Sequence, residues 1–185
     1  MESLIFTFSD VLKYLKSPIY NPYKELSIQK KLKIVGHSLI LCFGFVFISA
    51  IPIGILESYE VINLEDHATS DLLNKYSPII VLLMAAVLAP VLEECIFRAP
   101  LYLFRKYTTG FKYIFYFIAL GFGFIHITNF EISKTILILS PLLVAPQIIA
   151  GLILGYIRVR LGLLYSILLH SLFNGLAIIP SLLFV

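Results

Sequence analysis

From Ser77 to Phe104 the chain reads SPIIVLLMAAVLAPVLEECIFRAPLYLF. Nothing in this stretch is charged except Glu93, Glu94 and Arg98. It exceeds the roughly 20 residues that an α-helix needs to cross a bilayer. An ionisable side chain at that depth costs about 2.5–3.5 kcal/mol to insert. Three of them so close together need a partner, a water-filled cavity or a chemical task.

Working outward, the same apolar texture recurs at about 34–56, 111–130, 134–158 and 162–184, with a loop at 57–76. The 185 residues are 59% hydrophobic, and mean hydropathy is +0.96. A soluble domain is about 45–50% apolar. Within lipid the backbone must satisfy its own hydrogen bonds, so helices or a closed barrel are the choices. The apolar runs are continuous rather than alternating, which excludes the barrel. The expectation is an all-α polytopic transmembrane helix bundle with about five spans.

Residues 34–185 would form this transmembrane domain, with residues 1–33 as an interfacial N-terminal segment. In that segment Leu4, Ile5, Phe8, Val11, Leu12 and Leu15 recur at helical spacing, with Asp10, Lys13 and Lys16 between them. The pattern predicts a short amphipathic helix, either lying on the membrane surface or docked on the bundle as a cap. Pro18 and Pro22 end it. It lacks the basic region, apolar core and cleavage site of a secretory signal. Pro90 and Pro100 should kink or break the second span. The fourth carries Pro141, Pro146 and Gly151-x-x-x-Gly155, a spacing that lets helices approach closely.

Charge supports five spans. Lys13, Lys16, Lys24, Lys30, Lys31 and Lys33 precede the first span, Arg105, Lys106 and Lys112 follow the second, and Arg158 and Arg160 follow the fourth. All three groups then share one side, which the positive-inside rule makes cytoplasmic. The other side receives Glu57, Glu60, Glu65, Asp66 and Asp71, with Lys75 and Lys134. The N-terminus is therefore expected in the cytoplasm and the C-terminus outside, and the Ile- and Lys-rich composition points to a bacterial plasma membrane. The net charge of +3 says little by itself. On these features the expected partner is the lipid bilayer, not nucleic acid. Two cysteines, Cys42 and Cys95, make a disulfide framework improbable. Cys95, although beside Glu94, reads as a small buried apolar residue with an inert thiol.

Two further apolar segments carry polar residues at similar depth: His126, then His170 with Asn174. At about 1.5 Å per residue, Glu93 lies roughly 16 Å, His126 roughly 21 Å and His170 roughly 12 Å from the cytoplasmic ends of their spans. Three helices can therefore bring them to one site. Glu94 and Arg98 are four apart, share a helix face and can pair as structural support. Glu93 is rotated about 100° away and is left to face a cavity. A carboxylate near His126 suits general-base activation of water. His170 and Asn174, also four apart, could aim two N–H groups at an oxyanion. Each residue alone has a plainer reading, since membrane histidines and asparagines also serve as helix-packing hydrogen-bonders. His37, near the cytoplasmic start of the first span, and His67, in the outer loop, are not assigned to the site. Glu93, His126 and His170 with a water would also suit zinc, although no H-E-x-x-H spacing supports it.

These residues carry a resemblance. Glu93-Glu94-Cys95-Ile96-Phe97-Arg98, Phe122-Gly-Phe-Ile-His126 and His170-Ser-Leu-Phe-Asn174 match E-E-x-x-x-R, F-x-x-x-H and H-x-x-x-N in order. The chain thereby resembles the CAAX-protease and bacteriocin-processing family of intramembrane proteases, which includes the type II CAAX prenyl endopeptidases. The match runs from about residue 77 to 178, which would be the protease-like core. The resemblance implies an intramembrane endopeptidase acting on a peptide or membrane-protein substrate, in which Glu93 and His126 activate water. His170 and Asn174 would form the oxyanion hole, and Glu94 and Arg98 would support the site. No cofactor is required on that reading, with zinc as the alternative. The rival readings are a non-catalytic immunity or scaffold protein of the same fold, and an ion or proton carrier using the buried carboxylates.

Overall fold

The computed structural model describes residues 3–63 and 68–183, the side chains of 68–71, 182 and 183 excepted. His67, Glu65 and Asp66 lie outside the described residues. Those described form helices and connecting turns, with no strand among them. Five helical segments among them are long and apolar enough to cross a membrane. The chain is a polytopic transmembrane helix bundle.

Helix α1 spans Leu4–Lys16 and is capped by the Ser3 hydroxyl, which accepts from the Phe6 N–H. Helix α2 spans Ile28–Ser58 and is capped by Ser27. It starts earlier than hydropathy suggested, because a capped helix runs on through the basic turn at Lys30, Lys31 and Lys33. The segment read as a loop contains a helix of its own, α3, Ala68–Lys75. Eight residues of polar sequence give too weak a periodic signal to announce it.

The decisive stretch forms α4, Pro78–Tyr102. It does not break at its prolines. Before each one the helix widens by a residue: Met84–Leu88 and Glu94–Arg98 are π-turns, in which the Ala89 N–H reaches the Met84 carbonyl and the Ala99 N–H that of Glu94. Proline has no N–H and its ring crowds the preceding turn. A π-bulge absorbs both effects and re-aims the side chains nearby. The second bulge carries Glu94 and Arg98 themselves.

Helix α5 covers Phe111–Asn129, its last turn at His126–Asn129 tightened to 3-10 geometry. The fourth span is interrupted at Val144, giving α6, Lys134–Leu143, and α7, Ala145–Leu161. Helix α8 is Leu163–Leu183. Gly162, at φ 104°, makes the tight α7–α8 turn in a backbone region that side chains disfavour.

Helix α7 is central, packing against α5, α2 and α8. Its glycines allow this. A Cβ at Gly155 would stand 2.7 Å from the Phe115 ring, and one at Gly151 would stand 3.0 Å from Phe122 and 3.3 Å from Arg98 Nη2. The Gly151–Gly155 pair thus brings α5 and α7 into close contact.

Helix α1 docks on the bundle as a cap. Thr7, Val11 and Tyr14 are buried against the bundle, while Leu4, Ile5, Phe8 and Leu12 remain exposed. Its dock is polar as well as apolar. Asp10 Oδ2 accepts from the Tyr23 hydroxyl at 2.6 Å and the Tyr156 hydroxyl at 2.8 Å, and its Oδ1 lies 3.2 Å from Arg160 Nη2. Arg160 Nη1 also donates to the Asn21 carbonyl at 2.8 Å, and the Tyr23 N–H donates to the Arg160 carbonyl at 2.9 Å. The Tyr116 hydroxyl donates to the Leu15 carbonyl. This end of the bundle is closed by one continuous buried core that includes Val11, Tyr14, Leu101, Phe111, Phe115, Phe122 and Leu154.

Candidate active site

Glu94 is fully buried and Arg98 is 1% exposed. The Glu94 carboxylate uses both oxygens. Oε1 accepts the Nδ1–H of His170 at 3.0 Å and lies 3.5 Å from Arg98 Nη1. Oε2 accepts from the Ser166 hydroxyl. Glu94 therefore pairs with Arg98 but is also the group that orients His170. A carboxylate accepts only, so the donating ring nitrogen is Nδ1 and the far nitrogen, Nε2, is presented to the site. Nε2 stands 3.7 Å from Glu93 Oε2. His170 thus lies between the two glutamates of the motif.

Ser166 is the residue that sequence reasoning missed. It is fully buried, one turn before His170 on the same face of α8, and also lies 3.0 Å from the Leu154 carbonyl of α7. The signal was available: a serine four residues before the histidine in an otherwise apolar helix.

Phe122 binds the rest together. Its ring lies 3.6 Å below the Arg98 guanidinium, an arrangement in which the ring face attracts the cation. The same ring meets His126 at 4.9 Å and His170 at 5.7 Å between centroids, both edge-on. Its carbonyl accepts the Nδ1–H of His126 at 2.7 Å. That fixes the tautomer, because a carbonyl cannot donate, and leaves a lone pair on His126 Nε2. Glu93, His170 and Arg98 all lie close enough to His126 to act on it electrostatically. Arg158, itself buried, donates Nε–H to the Arg98 carbonyl at 3.0 Å and anchors the widened turn to α7.

The site residues differ in freedom. Glu93 keeps 27% exposure, and its Oε2 makes no hydrogen bond. Asn174 sits one turn beyond His170 and donates Nδ2–H to the Ala85 carbonyl at 3.0 Å, tying α8 to α4 and leaving one amide hydrogen. His37 lies outside this group, its Nδ1 3.0 Å from the Thr7 hydroxyl between α1 and α2. Cys95 corrects an expectation: it is exposed, whereas Cys42 is buried. With Glu94 and Arg98 turned inward, the intervening face of α4 looks out of the bundle. Glu93, His126 and His170 have the donor chemistry for zinc. Among the described residues, however, no three His, Cys, Asp or Glu side chains group as a metal ion would need.

Two glutamates, two histidines and an arginine thus converge from three membrane-spanning helices, with every motif position in or beside the cluster. Neither a curated protein nor a solved structure matches the chain. A family profile, type II CAAX prenyl endopeptidase Rce1-like, matches residues 75–176, more than half of the chain and all three motifs. The chain belongs to the type II CAAX prenyl endopeptidase Rce1-like family of membrane proteases.

Proposed function

We propose that this chain is an intramembrane endopeptidase in which Glu93 is the general base. The observation that carries the reading is the contrast between the two glutamates. Glu94 has both oxygens committed to His170, Ser166 and Arg98. Glu93, next to it in sequence, is partly exposed, and its buried Oε2 makes no hydrogen bond and faces His170 Nε2 at 3.7 Å. A base must have room for the water whose proton it takes.

In the proposed reaction a water held between Glu93 and the free Nε2 of His126 loses a proton to Glu93 and attacks the scissile carbonyl. Negative charge develops on the carbonyl oxygen. His170, carrying a hydrogen on Nε2 as well as Nδ1 as an imidazolium between the two glutamates, donates to it together with the remaining amide hydrogen of Asn174, in surroundings dry enough to strengthen such donors. Glu93 then returns its proton to the departing amine, and the C–N bond breaks. Arg98 pairs with the Glu94 carboxylate, and Glu94 holds His170 in register. No step in this scheme uses a metal. We place the N-terminus in the cytoplasm from the basic residues at the α1 end. The substrate is a peptide or a membrane protein.

The test is cleavage of quenched fluorescent peptides, prenylated and unprenylated, by detergent-purified protein. Wild type is compared with Glu93→Gln, with and without a strong chelator. Cleavage abolished in Glu93→Gln and indifferent to chelation supports the scheme. Loss on chelation with recovery on added zinc would instead make Glu93, His126 and His170 ligands.

A further inference from the structure

One buried polar group near this site has no part in the reaction so far. The side-chain oxygen of Gln147 is buried and has no hydrogen-bond partner. Gln147 lies in the first turn of α7. A buried polar atom left unpaired costs about 1–3 kcal/mol, so something should meet it when the protein works.

The register of α7 says where it points. Residues Gln147, Gly151, Leu154 and Arg158 fall on one face of a 3.6-residue helix. Gly151 on that face abuts Phe122 and the Arg98 guanidinium. Arg158 on that face binds the Arg98 carbonyl. The Leu154 carbonyl lies beside the serine that holds Glu94. Gln147 therefore looks toward the same centre, about 6 Å farther from the α1 end than Gly151. Neighbouring Ile148 fixes its height: a Cβ at Gly123 would collide with the Ile148 side chain at 2.2 Å, so α7 here runs level with the last full turn of α5 before His126.

The chemistry of the site says what it binds. Glu93 Oε2 and His126 Nε2 are both acceptors, and one water has only two hydrogens to share between them. The Arg98 terminal nitrogens also lack hydrogen bonds, but Nη2 lies at Gly151, one turn nearer the α1 end, and makes none to Gln147, whose oxygen needs a partner from elsewhere. A peptide group offers one N–H and one C=O, and a carboxamide complements both. We propose that the Gln147 carboxamide is a substrate-binding group, pairing with a backbone peptide unit next to the scissile bond and setting the depth at which the chain enters. This rests on the endopeptidase reading and adds to it a fourth helix, α7, as a wall of the substrate site.

Two measurements test it. The first is labelling by a small, water-soluble methanethiosulfonate in a Cys42→Ala, Cys95→Ser background, comparing Gln147→Cys with Glu93→Cys and with Ile153→Cys, which replaces a buried core residue. Reaction of Gln147→Cys at a rate within about tenfold of Glu93→Cys is expected. Protection equal to that of Ile153→Cys would place the side chain in packed core and overturn the proposal. The second is peptide cleavage by Gln147→Ala, whose KM should rise about tenfold, the worth of one hydrogen bond, with kcat little changed. An unchanged KM in a folded, label-accessible protein would overturn the substrate role. Failure of wild type to cleave any peptide would remove the endopeptidase reading and this proposal with it, whereas cleavage with a silent Gln147 would remove this proposal alone.

Discussion

Glu94 holds His170: its Oε1 takes the imidazole Nδ1–H at 3.0 Å, closer than the 3.5 Å that separates the same oxygen from Arg98. The two adjacent glutamates thus meet opposite edges of one imidazole, Glu94 at Nδ1 and Glu93 at Nε2. Helical geometry makes this possible, because consecutive side chains diverge by about 100° and can close on a ring from two directions. One carboxylate is consumed in fixing the ring, and the other keeps the free oxygen.

Replacing the two glutamates should therefore have different consequences. Glu93→Gln should lower cleavage by about 10²-fold or more, the usual scale for a lost general base, with the melting temperature almost unchanged. Glu94→Ala removes one partner of a buried ion pair and leaves Arg98 and His170 uncompensated, at a cost of about 3–5 kcal/mol. Thermal unfolding in detergent, measured beside cleavage, separates the two. Equal destabilisation by both variants would show that the division of labour is wrong.

Ser166 should behave as a positioning residue. Ser166→Ala leaves Glu94 Oε2 without its hydroxyl donor, a loss of about 1–3 kcal/mol for a buried group. The informative readout is the His170 ring, because Glu94 freed to turn no longer holds Nδ1–H. Nitrogen NMR of histidine-labelled protein should show His170 Nδ1 carrying a hydrogen-bonded proton in wild type and a shifted, weakened Nδ1–H signal in Ser166→Ala. The same spectrum in both proteins would reduce Ser166 to a packing residue.

The α5–α7 contact makes a prediction about stability alone. Gly123→Ala puts a methyl group 2.2 Å from Ile148 Cγ1 and 3.0 Å from its backbone nitrogen, which cannot move aside. Overpacking of this kind costs about 1–3 kcal/mol. Gly121→Ala, two residues earlier, meets only the edge of Phe97 at 3.9 Å, an ordinary contact. Melting temperatures should fall for the first and hold for the second. A Gly123→Ala protein as stable as wild type would mean that α5 and α7 sit farther apart.

The spans and the membership of the cluster were legible because both rest on strong local signals: long apolar runs, and charges within them that have nowhere else to go. The Glu94–Arg98 pair follows from i, i+4 spacing and is present. What spacing could not supply is the partner across helices. That Glu94 also serves His170, that Ser166 joins it, and that Asn174 spends a hydrogen on Ala85 depend on how α8 meets α4, and no periodicity within either helix records this. The π-turns were hidden for a related reason. Proline announces a disturbance but not whether the helix kinks, breaks or widens. Helix α3 was too short and polar to stand out, and Cys95 was assigned to the interior because hydropathy does not distinguish a lipid-facing side from a protein-facing one.

The docking of α1 should weaken at high pH. Tyr23 lies in the segment between α1 and α2, where burial, with the hydrogen bond to Asp10 second, pushes its phenol up to about 12 from an ordinary 10. The folded protein thus holds this proton more tightly than the unfolded chain. Its contribution to stability is complete below pH 10 and is lost as pH rises toward 12. A phenolate there would face the Asp10 carboxylate at hydrogen-bond distance, and α1 would lose its hold on α7. Burial also raises the Tyr14 phenol of the same dock, so the loss has more than one source. Tyr23→Phe should be less stable than wild type at pH 8, and the gap should narrow between pH 10 and 12. Melting curves across that range, read beside Asp10→Ala, decide it. A gap that stays constant with pH would mean that the Tyr23 proton has no part in holding α1 to the bundle.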